Sequence, residues 1–158
     1  MSVAFRRESD DEHLEPKFDI PLPPGPNLVT ARGLALIRTK VAELEAALEG
    51  APDEDARKAI RRDLKYWHTR ETGAEIAPIP DGEEVAFGSR VTYRLGGRET
   101  RVDLVGSDEA DPAAGRIPFT APLAQALIGL SPGESEEFAG RDLTVVATGP
   151  IPPEPDAA

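Results

Sequence analysis

Two stretches in the middle of the chain repeat apolar residues at the spacing of an amphipathic helix. The first, after Thr30, has them at steps of three and four: Leu34, Ile37, Val41, Leu44 and Leu48. The second has them at Ala56, Ile60, Leu64 and Trp67. This periodicity predicts two helices, the first capped by Thr30 and ended by Gly50. Because the connection is short, we expect an antiparallel helical hairpin, that is, a short coiled coil.

Beyond residue 84 the apolar period changes from that of a helix to two, which is typical of strands. The segments at residues 90–95 and 98–106 flank Gly96 and Gly97, a pattern that predicts a β-hairpin with a tight turn. Residues 121–130 read as a short apolar helix and residues 142–148 as a closing strand. The predicted fold class is therefore α+β: a helical hairpin followed by an antiparallel sheet domain with one helix.

The composition along the chain predicts five segments. The first, residues 1–26, is polar and ends in a Pro-rich stretch, so we expect a flexible arm, with a short docking segment around residues 18–22 as the alternative. The others are a helical hairpin at 27–76, a Pro- and Gly-containing linker at 77–84, a folded C-terminal domain at 85–151 and a flexible tail at 152–158.

Composition and charge exclude several classes of function. The chain has no cysteine, and its two histidines, His13 and His68, are far apart, which removes thiolate sites and gives no support to a histidine-based catalytic or metal site. No signal peptide or membrane-spanning run is visible, so we expect a cytoplasmic protein. The net charge of −11 argues against nonspecific nucleic-acid binding by the whole molecule. Residues 30–72 are the exception, with nine basic and eight acidic residues.

Two charged groups in the predicted hairpin are candidate functional residues. Three consecutive acids stand between the helices: Asp53, Glu54 and Asp55. In the first turn of a helix they would stabilise its amino end, and as a cluster they would be candidates for holding a metal ion. A basic run follows, consisting of Arg57, Lys58, Arg61, Arg62 and Lys65, which is either a solvated face or a contact surface.

Five landmarks of the C-terminal half carry a family resemblance. They are VAFGSRVT at 85–92, VGSDEAD at 105–111, GRI at 115–117, APLAQALIG at 121–129 and PGE at 132–134. In this order, and across nearly all of residues 85–148, the segment resembles the C-terminal domain of the bacterial Gre transcript-cleavage factors. The resemblance implies an FKBP-like fold for this domain.

The resemblance also implies a partner, RNA polymerase. Family members grip the β′ subunit coiled coil at the rim of the secondary channel, and their hairpin points towards the active site. By position, the implied polymerase-binding residues here are an acidic loop with Asp108, Glu109 and Asp111 and a second loop with Thr120, Pro122 and Leu123. Without the partner, Pro122 would simply start a helix, with Thr120 near its cap. We expect a monomer that meets nucleic acid only within the elongation complex, where the basic run of the hairpin could face RNA.

The connection between the two predicted helices, which carries Asp53, Glu54 and Asp55 and forms the tip of the hairpin, departs from the family pattern. Cleavage-active members carry a D-x-S-E-N type loop whose Asp and Glu help to hold a second Mg²⁺, whereas the acids here are consecutive. The first helical arm, residues 30–49, would be only about 30 Å long. In this the chain is similar to short-hairpin relatives such as the regulator of nucleoside diphosphate kinase.

The expected function is therefore regulation of elongation without strong transcript cleavage. On this interpretation the chain is not an enzyme and has no cofactor of its own, with at most a Mg²⁺ shared at the polymerase active site. Two alternatives stay open. One is a true cleavage factor that holds Mg²⁺ through Asp53, Glu54 and Asp55, and the other is an FKBP-like peptide-binding module.

Overall fold

The computed structural model describes residues 19–153, which divide into two compact units. The first unit contains residues 19–24 and 38–72, and the second contains residues 25–37 and 73–153. The predicted N-terminal arm falls outside the described residues up to residue 18, and so does the predicted tail from residue 154 onward. No helix within residues 19–153 is long and apolar enough to span a membrane.

Two long helices occupy the region where the apolar period predicts them. Helix α1 is Ala31–Glu49, and helix α2 is Glu54–Thr72. The backbone N–H of Gly33 donates to Thr30 Oγ1 at 3.0 Å, so Thr30 is the predicted cap of α1. Every residue of the two predicted apolar seams is buried or half-buried. The helical periodicity and both ends of α1 are therefore confirmed. The predicted helical hairpin extends to residue 76, whereas α2 ends at Thr72 and residues 74–76 form a strand.

A two-stranded parallel sheet brackets the two helices in sequence. Strand β1, Asn27–Val29, pairs with strand β2, Ala74–Ile76. Both strands belong to the second unit, whereas the sequence predicts these residues as part of the helical hairpin. Three-residue strands are too short to show an alternating pattern, which is why the sequence gives no signal for them.

A five-stranded sheet forms the larger part of the second unit. Its strands are β3 (Ser89–Leu95), β4 (Arg98–Val105), β5 (Arg116–Pro118), β6 (Ser135–Phe138) and β7 (Arg141–Pro150). They lie in the order β5-β4-β3-β7-β6. The predicted β-hairpin joins β3 to β4 through Gly96 and Gly97, whose φ angles of 57° and 88° are those of a type I′ turn.

The expectation of a purely antiparallel sheet is wrong at one edge. Strand β5 pairs with β4 in parallel, so the sheet is mixed. Parallel neighbours need a crossover, and here two 3₁₀ turns, Ser107–Glu109 and Pro112–Ala114, return the chain to the start of β5. The sequence signal for β5 is weak because the strand has three residues and ends in proline.

The core of this unit lies between one face of the sheet and helix α3, Pro122–Leu127. Val91 and Tyr93 alternate inward from β3, and Ala124 and Leu127 of α3 are fully buried. Pro122 opens α3 as predicted, but the cap position is Ala121 and carries no side-chain hydrogen bond. Thr120 therefore does not cap this helix.

Gly106 offers a test of the packing between β1 and the start of the 3₁₀ turn. A Cβ atom at this position would lie closer to the carbonyl oxygen of Leu28 than a van der Waals contact allows. The φ of −76° suits any residue, so space alone is limiting. We expect Gly106→Ala to lower the free energy of unfolding by about 1–3 kcal/mol in a urea titration. Gly149→Ala, with no atom within 4 Å, is the control and should change it by less than about 0.5 kcal/mol.

Candidate functional site

The acids between α1 and α2 act on the helix that follows them. The backbone N–H of Ala56 donates to Asp53 Oδ1 at 2.9 Å, so Asp53 is the cap of α2. Glu54 lies in the first turn and forms exposed ion pairs with Arg57 at 3.6 Å and Arg61 at 3.4 Å. The capping interpretation of this tip is confirmed for Asp53.

The tip acids do not assemble a metal site by themselves. Throughout residues 19–153, no group of three or more His, Asp or Glu side chains is arranged to hold a metal ion. Consecutive acids at the start of a helix point in different directions, because neighbouring residues are about 100° apart around the axis. An ion held at this tip would need ligands from a partner, so the proposal of a shared Mg²⁺ depends on that partner.

The basic run is partly engaged within its own unit. Arg57 and Arg61 pair with Glu54, and Lys65 Nζ lies 2.7 Å from Asp19 Oδ2. Lys58 is exposed, whereas Arg62 is half-buried, and its buried Nε has no hydrogen-bond partner in the described part of the chain. The five cations therefore do not form one uniform face, and their contact with RNA stays a prediction.

The acidic loop of the second unit separates its three acids by burial. Asp111 is exposed, Asp108 is half-buried, and Glu109 is only 6% exposed. Both oxygens of the Glu109 carboxylate are bound inside the unit: Thr30 Oγ1 donates to Oε1 at 2.6 Å, and Arg32 donates to Oε2 at 3.1 Å. Of the three acids assigned to a partner by resemblance, Glu109 is thus committed to an internal contact.

Thr30 links the cap of α1 to this buried acid. Its hydroxyl group accepts a hydrogen bond from the N–H of Gly33 and donates one to Glu109. The same hydroxyl therefore acts as both acceptor and donor. A Cβ at Gly33 would lie 2.8 Å from Glu109 Oε1, so the glycine leaves room for the carboxylate. Sequence reasoning missed this contact because its partners are 79 residues apart and no local pattern connects them.

The second implied contact loop precedes α3. Thr120 and Pro122 are exposed, whereas Leu123 is half-buried and packs against the core. Gln125 Nε2 donates to the carbonyl of Phe119 at 2.7 Å, which holds the loop from within. Thr120 and Pro122 are therefore accessible to a partner, and Leu123 supports them from below.

Comparison with known proteins identifies the family. A family model described as "Transcription elongation factor, GreA/GreB, C-term" matches residues 80–147. The transcription elongation factor GreA of Phenylobacterium zucineum is 41% identical over 122 residues, which cover 65% of this chain and 78% of that relative. The chain belongs to the GreA/GreB family.

Other relatives match over a shorter part of the chain. The GreA of Legionella pneumophila (strain Corby) is 40% identical over 57 residues, so the match spans 35% of this chain and 36% of that relative. Among solved structures, the GreA factor homolog 1 (Gfh1) of Thermus thermophilus is 20% identical with a TM-score of 0.38, covering 78% of this chain and 99% of that one.

Removing the cap of α2 should weaken this helix. We expect Asp53→Ala to lower the free energy of unfolding by about 0.5–2 kcal/mol, because the N–H of Ala56 loses its acceptor. Asp53→Asn should retain most of the stability, since asparagine is an equally good cap. Thermal unfolding followed by far-UV circular dichroism measures both, and equal losses in the two variants would contradict the capping role.

Removing the buried acid should destabilise the second unit. We expect Glu109→Ala to reduce the free energy of unfolding by about 1.5–3 kcal/mol, because two hydrogen bonds to a charged group are lost. The control is Glu99→Ala, which removes an exposed ion pair with Arg94 at 3.4 Å and should matter by less than about 1 kcal/mol. A Glu109 variant as stable as the Glu99 variant would refute the structural role.

Proposed function

We propose that this chain is a transcription elongation regulator that binds RNA polymerase. Its C-terminal unit docks on the β′ coiled coil at the secondary channel, and helices α1 and α2 enter the channel as a short helical hairpin. The observation that carries this proposal is the family match at residues 80–147, which lies wholly within the second compact unit. Family membership supports RNA polymerase as the partner, and the position of the match within one compact unit supports a contact surface on that unit.

The finer architecture is part of the same proposal. We take the second unit as FKBP-like, which its sheet with one helix packed on the core face supports. We take α1 and α2 as an antiparallel hairpin, supported by two ion pairs. These join Arg38, early in α1, to Glu71, late in α2, at 3.5 Å, and Glu45 to His68 at 3.6 Å.

The proposed polymerase-contact surface consists of the exposed side chains of the two loops. Asp111, Thr120 and Pro122 would meet the partner, and half-buried Asp108 would adjoin them. Glu109 and Leu123 act as positioning residues, since one holds the acidic loop through Thr30 and the other packs into the core. A contact surface built on a fixed backbone loses little entropy on binding.

Weak or absent transcript cleavage is the second part of the proposal. Asp53 is used as a helix cap and Glu54 faces two arginines, so neither carboxylate is prepared to receive a metal ion. The chain is then not an enzyme, and any cleavage would be the chemistry of the polymerase. Asp55 is exposed in the first turn of α2. A transcript-cleavage assay therefore tests whether the three tip acids support cleavage.

Binding to core RNA polymerase tests the proposal. We expect the full chain to co-purify with the enzyme and to compete with a cleavage-active Gre factor. Asp111→Lys should weaken binding by about tenfold, or about 1.4 kcal/mol, because it reverses a charge on the proposed surface. The matched variant Glu99→Lys reverses an exposed charge on the β3–β4 hairpin and should bind normally. No binding at micromolar concentration would exclude the proposed function.

Backtracked elongation complexes distinguish a regulator from a transcript-cleavage factor. Backtracked elongation complexes are incubated with saturating protein, and transcript length is followed on a gel. We expect no shortening with the native chain or with Asp53, Glu54 and Asp55 all replaced by alanine. Shortening that the triple variant abolishes would establish the cleavage-factor alternative instead.

A further inference from the structure

One face of helix α2 carries basic side chains at helical spacing. At about 100° per residue, they fall within an arc of about 100° around the helix axis. We call this set the α2 basic face; its members are Lys58, Arg61, Arg62 and Lys65. The apolar seam of α2 lies on the opposite side of the helix. The α2 basic face is therefore directed away from the seam, with Arg62 half-buried and the other three side chains exposed.

The helix itself does not neutralise this face. Glu54 and Asp55 are the acids of α2 on the same arc, so they balance two of the four positive charges. Glu54 is also shared, because Arg61 and Arg57, at the edge of the face, both pair with it. Lys58 is exposed and forms no ion pair with another residue of the described chain. A surplus of positive charge is therefore available to a negatively charged occupant.

Arg62 adds an unsatisfied hydrogen-bond donor to the α2 basic face. Its Nε is buried and has no acceptor among the described residues. A buried donor without an acceptor destabilises the fold, and a bond to a carboxylate is the strongest that a guanidinium forms. A carboxylate brought to Arg62 would therefore be stabilising, which agrees with the charge surplus on the choice of occupant.

One carboxylate from outside the helix already lies on this face. Asp19, the first residue that the structure describes, has its Oδ2 at 2.7 Å from Lys65 Nζ, and both residues belong to the first compact unit. Their side chains are 64% and 67% exposed, so the pair alone contributes little stability. Its importance is positional, because it places the residues that precede Asp19 in sequence next to the α2 basic face.

Those preceding residues are strongly acidic. Residues 8–15, here called the acidic segment, lie outside the described residues and have no Lys or Arg; their acids are Glu8, Asp10, Asp11, Glu12 and Glu15. An extended chain spans at most about 3.6 Å per residue, so Glu15 lies within about 14 Å of Asp19. Lys58 is about 10 Å from Lys65 along the helix axis. The acidic segment is therefore long enough to extend along the whole face.

We propose that the acidic segment binds the α2 basic face of the same chain and covers it until a stronger polyanion displaces it. Asp19 holds the segment beside the face, and carboxylates of the segment pair with Lys58 and Arg62. Each exposed pair is weak, so binding depends on several charges meeting one face. Because both partners belong to one chain, their effective concentration is high. The contact forms in the free chain, whether or not that chain binds polymerase.

A covered face differs from a free one in what it binds. A free basic face attracts any nearby polyanion, including RNA, because neutralising phosphates releases their counterions. A covered face binds only a polyanion that competes successfully with the acidic segment. The segment therefore restricts the basic face to partners with a high local density of negative charge.

A spin label in the acidic segment tests where the segment lies. The chain has no cysteine, so Ser9→Cys provides a single attachment site for a nitroxide. In the ¹⁵N-labelled full chain, we expect the oxidised nitroxide to lower the amide peak heights of Lys58, Arg61 and Arg62 relative to the reduced form. Raising the salt from about 0.1 M to about 1 M shortens the Debye length from about 10 Å to about 3 Å and should restore these peaks.

Charge variants of the spin-labelled chain localise the contact. The five-amide variant keeps the length and the label and should abolish the peak losses; its changes are Glu8→Gln, Asp10→Asn, Asp11→Asn, Glu12→Gln and Glu15→Gln. Lys58→Glu should reduce the losses, because it removes a cation of the face. The matched variant Lys40→Glu reverses an exposed lysine of α1 and should leave them unchanged. Thermal unfolding of both lysine variants should match that of the native chain, since both side chains are exposed.

Binding of a polyanion tests whether the contact covers the face. The probe is fluorescent decauridylate at the lower salt concentration. We expect the five-amide variant to bind it at least about tenfold more tightly than the native chain, because the basic face is uncovered. A matched control removes five exposed acids from the second unit and should gain much less; its changes are Glu83→Gln, Glu84→Gln, Glu136→Gln, Glu137→Gln and Asp142→Asn.

Four results would overturn the proposal. The first is no loss of peak height on α2 at the lower salt concentration. The second is an equal loss in the five-amide variant, which would exclude a contact between charges. The third is an equal loss when the nitroxide is on an unlabelled ¹⁴N chain mixed with ¹⁵N chain, which would make a second copy the occupant. The fourth is an equal gain in decauridylate affinity by the five-amide variant and its matched control, which would leave net charge as the whole effect.

Discussion

The buried carboxylate of Glu109 is the contact on which the organisation of the second unit depends. A carboxylate removed from water is strongly destabilising unless it is paired and hydrogen-bonded, and Thr30 and Arg32 supply both conditions. The same Thr30 hydroxyl caps α1, so the first turn of the helix is bound to the 3₁₀ turn that carries Glu109. Glycines at 33 and 106 allow the segments to approach, because a Cβ at either position would collide with its neighbour.

The contact of Glu109 with Thr30 and Arg32 distinguishes Glu109 from the two other acids of its loop, which look equivalent in the sequence. Three acids in one loop invite one shared interpretation, but burial assigns Glu109 to the interior and leaves Asp111 in solvent. Asp108 and Glu109 differ because successive side chains of the 3₁₀ turn Ser107–Glu109 point about 120° apart, whereas Asp111 lies beyond this turn. A loop whose backbone is fixed by one acid can present the others in a constant geometry, which is what a contact surface requires.

Local patterns made part of this fold predictable, and distant contacts account for the rest. The helices follow from apolar period and caps, and the β3–β4 hairpin follows from Gly96 and Gly97, all of which are signals within a few residues. The parallel pairs β1–β2 and β4–β5 were missed because each involves three-residue strands without a measurable period. The bond between Thr30 and Glu109 was missed because a carboxylate and a hydroxyl 79 residues apart leave no mark in a single sequence. The candidate contact residues were predicted from the family resemblance, and only the structure separates the accessible candidates from the buried ones.

The tip shows how helix energetics constrain chemistry. Asp53 stabilises α2 by accepting the N–H of Ala56, and Glu54 lies between Arg57 and Arg61. A divalent ion approaching Glu54 would have to displace or tolerate two guanidinium groups, and their repulsion of the ion grows as water is excluded. Using Asp53 as a metal ligand would draw its carboxylate away from the cap, so metal binding and helix stability compete for the same oxygen atoms. A factor that delivers a metal ion would avoid this conflict by placing its acids in a loop of their own, separated from the helix start. The consecutive placement of the acids in this chain therefore supports the proposal that they stabilise the start of α2 rather than hold a metal ion for RNA cleavage.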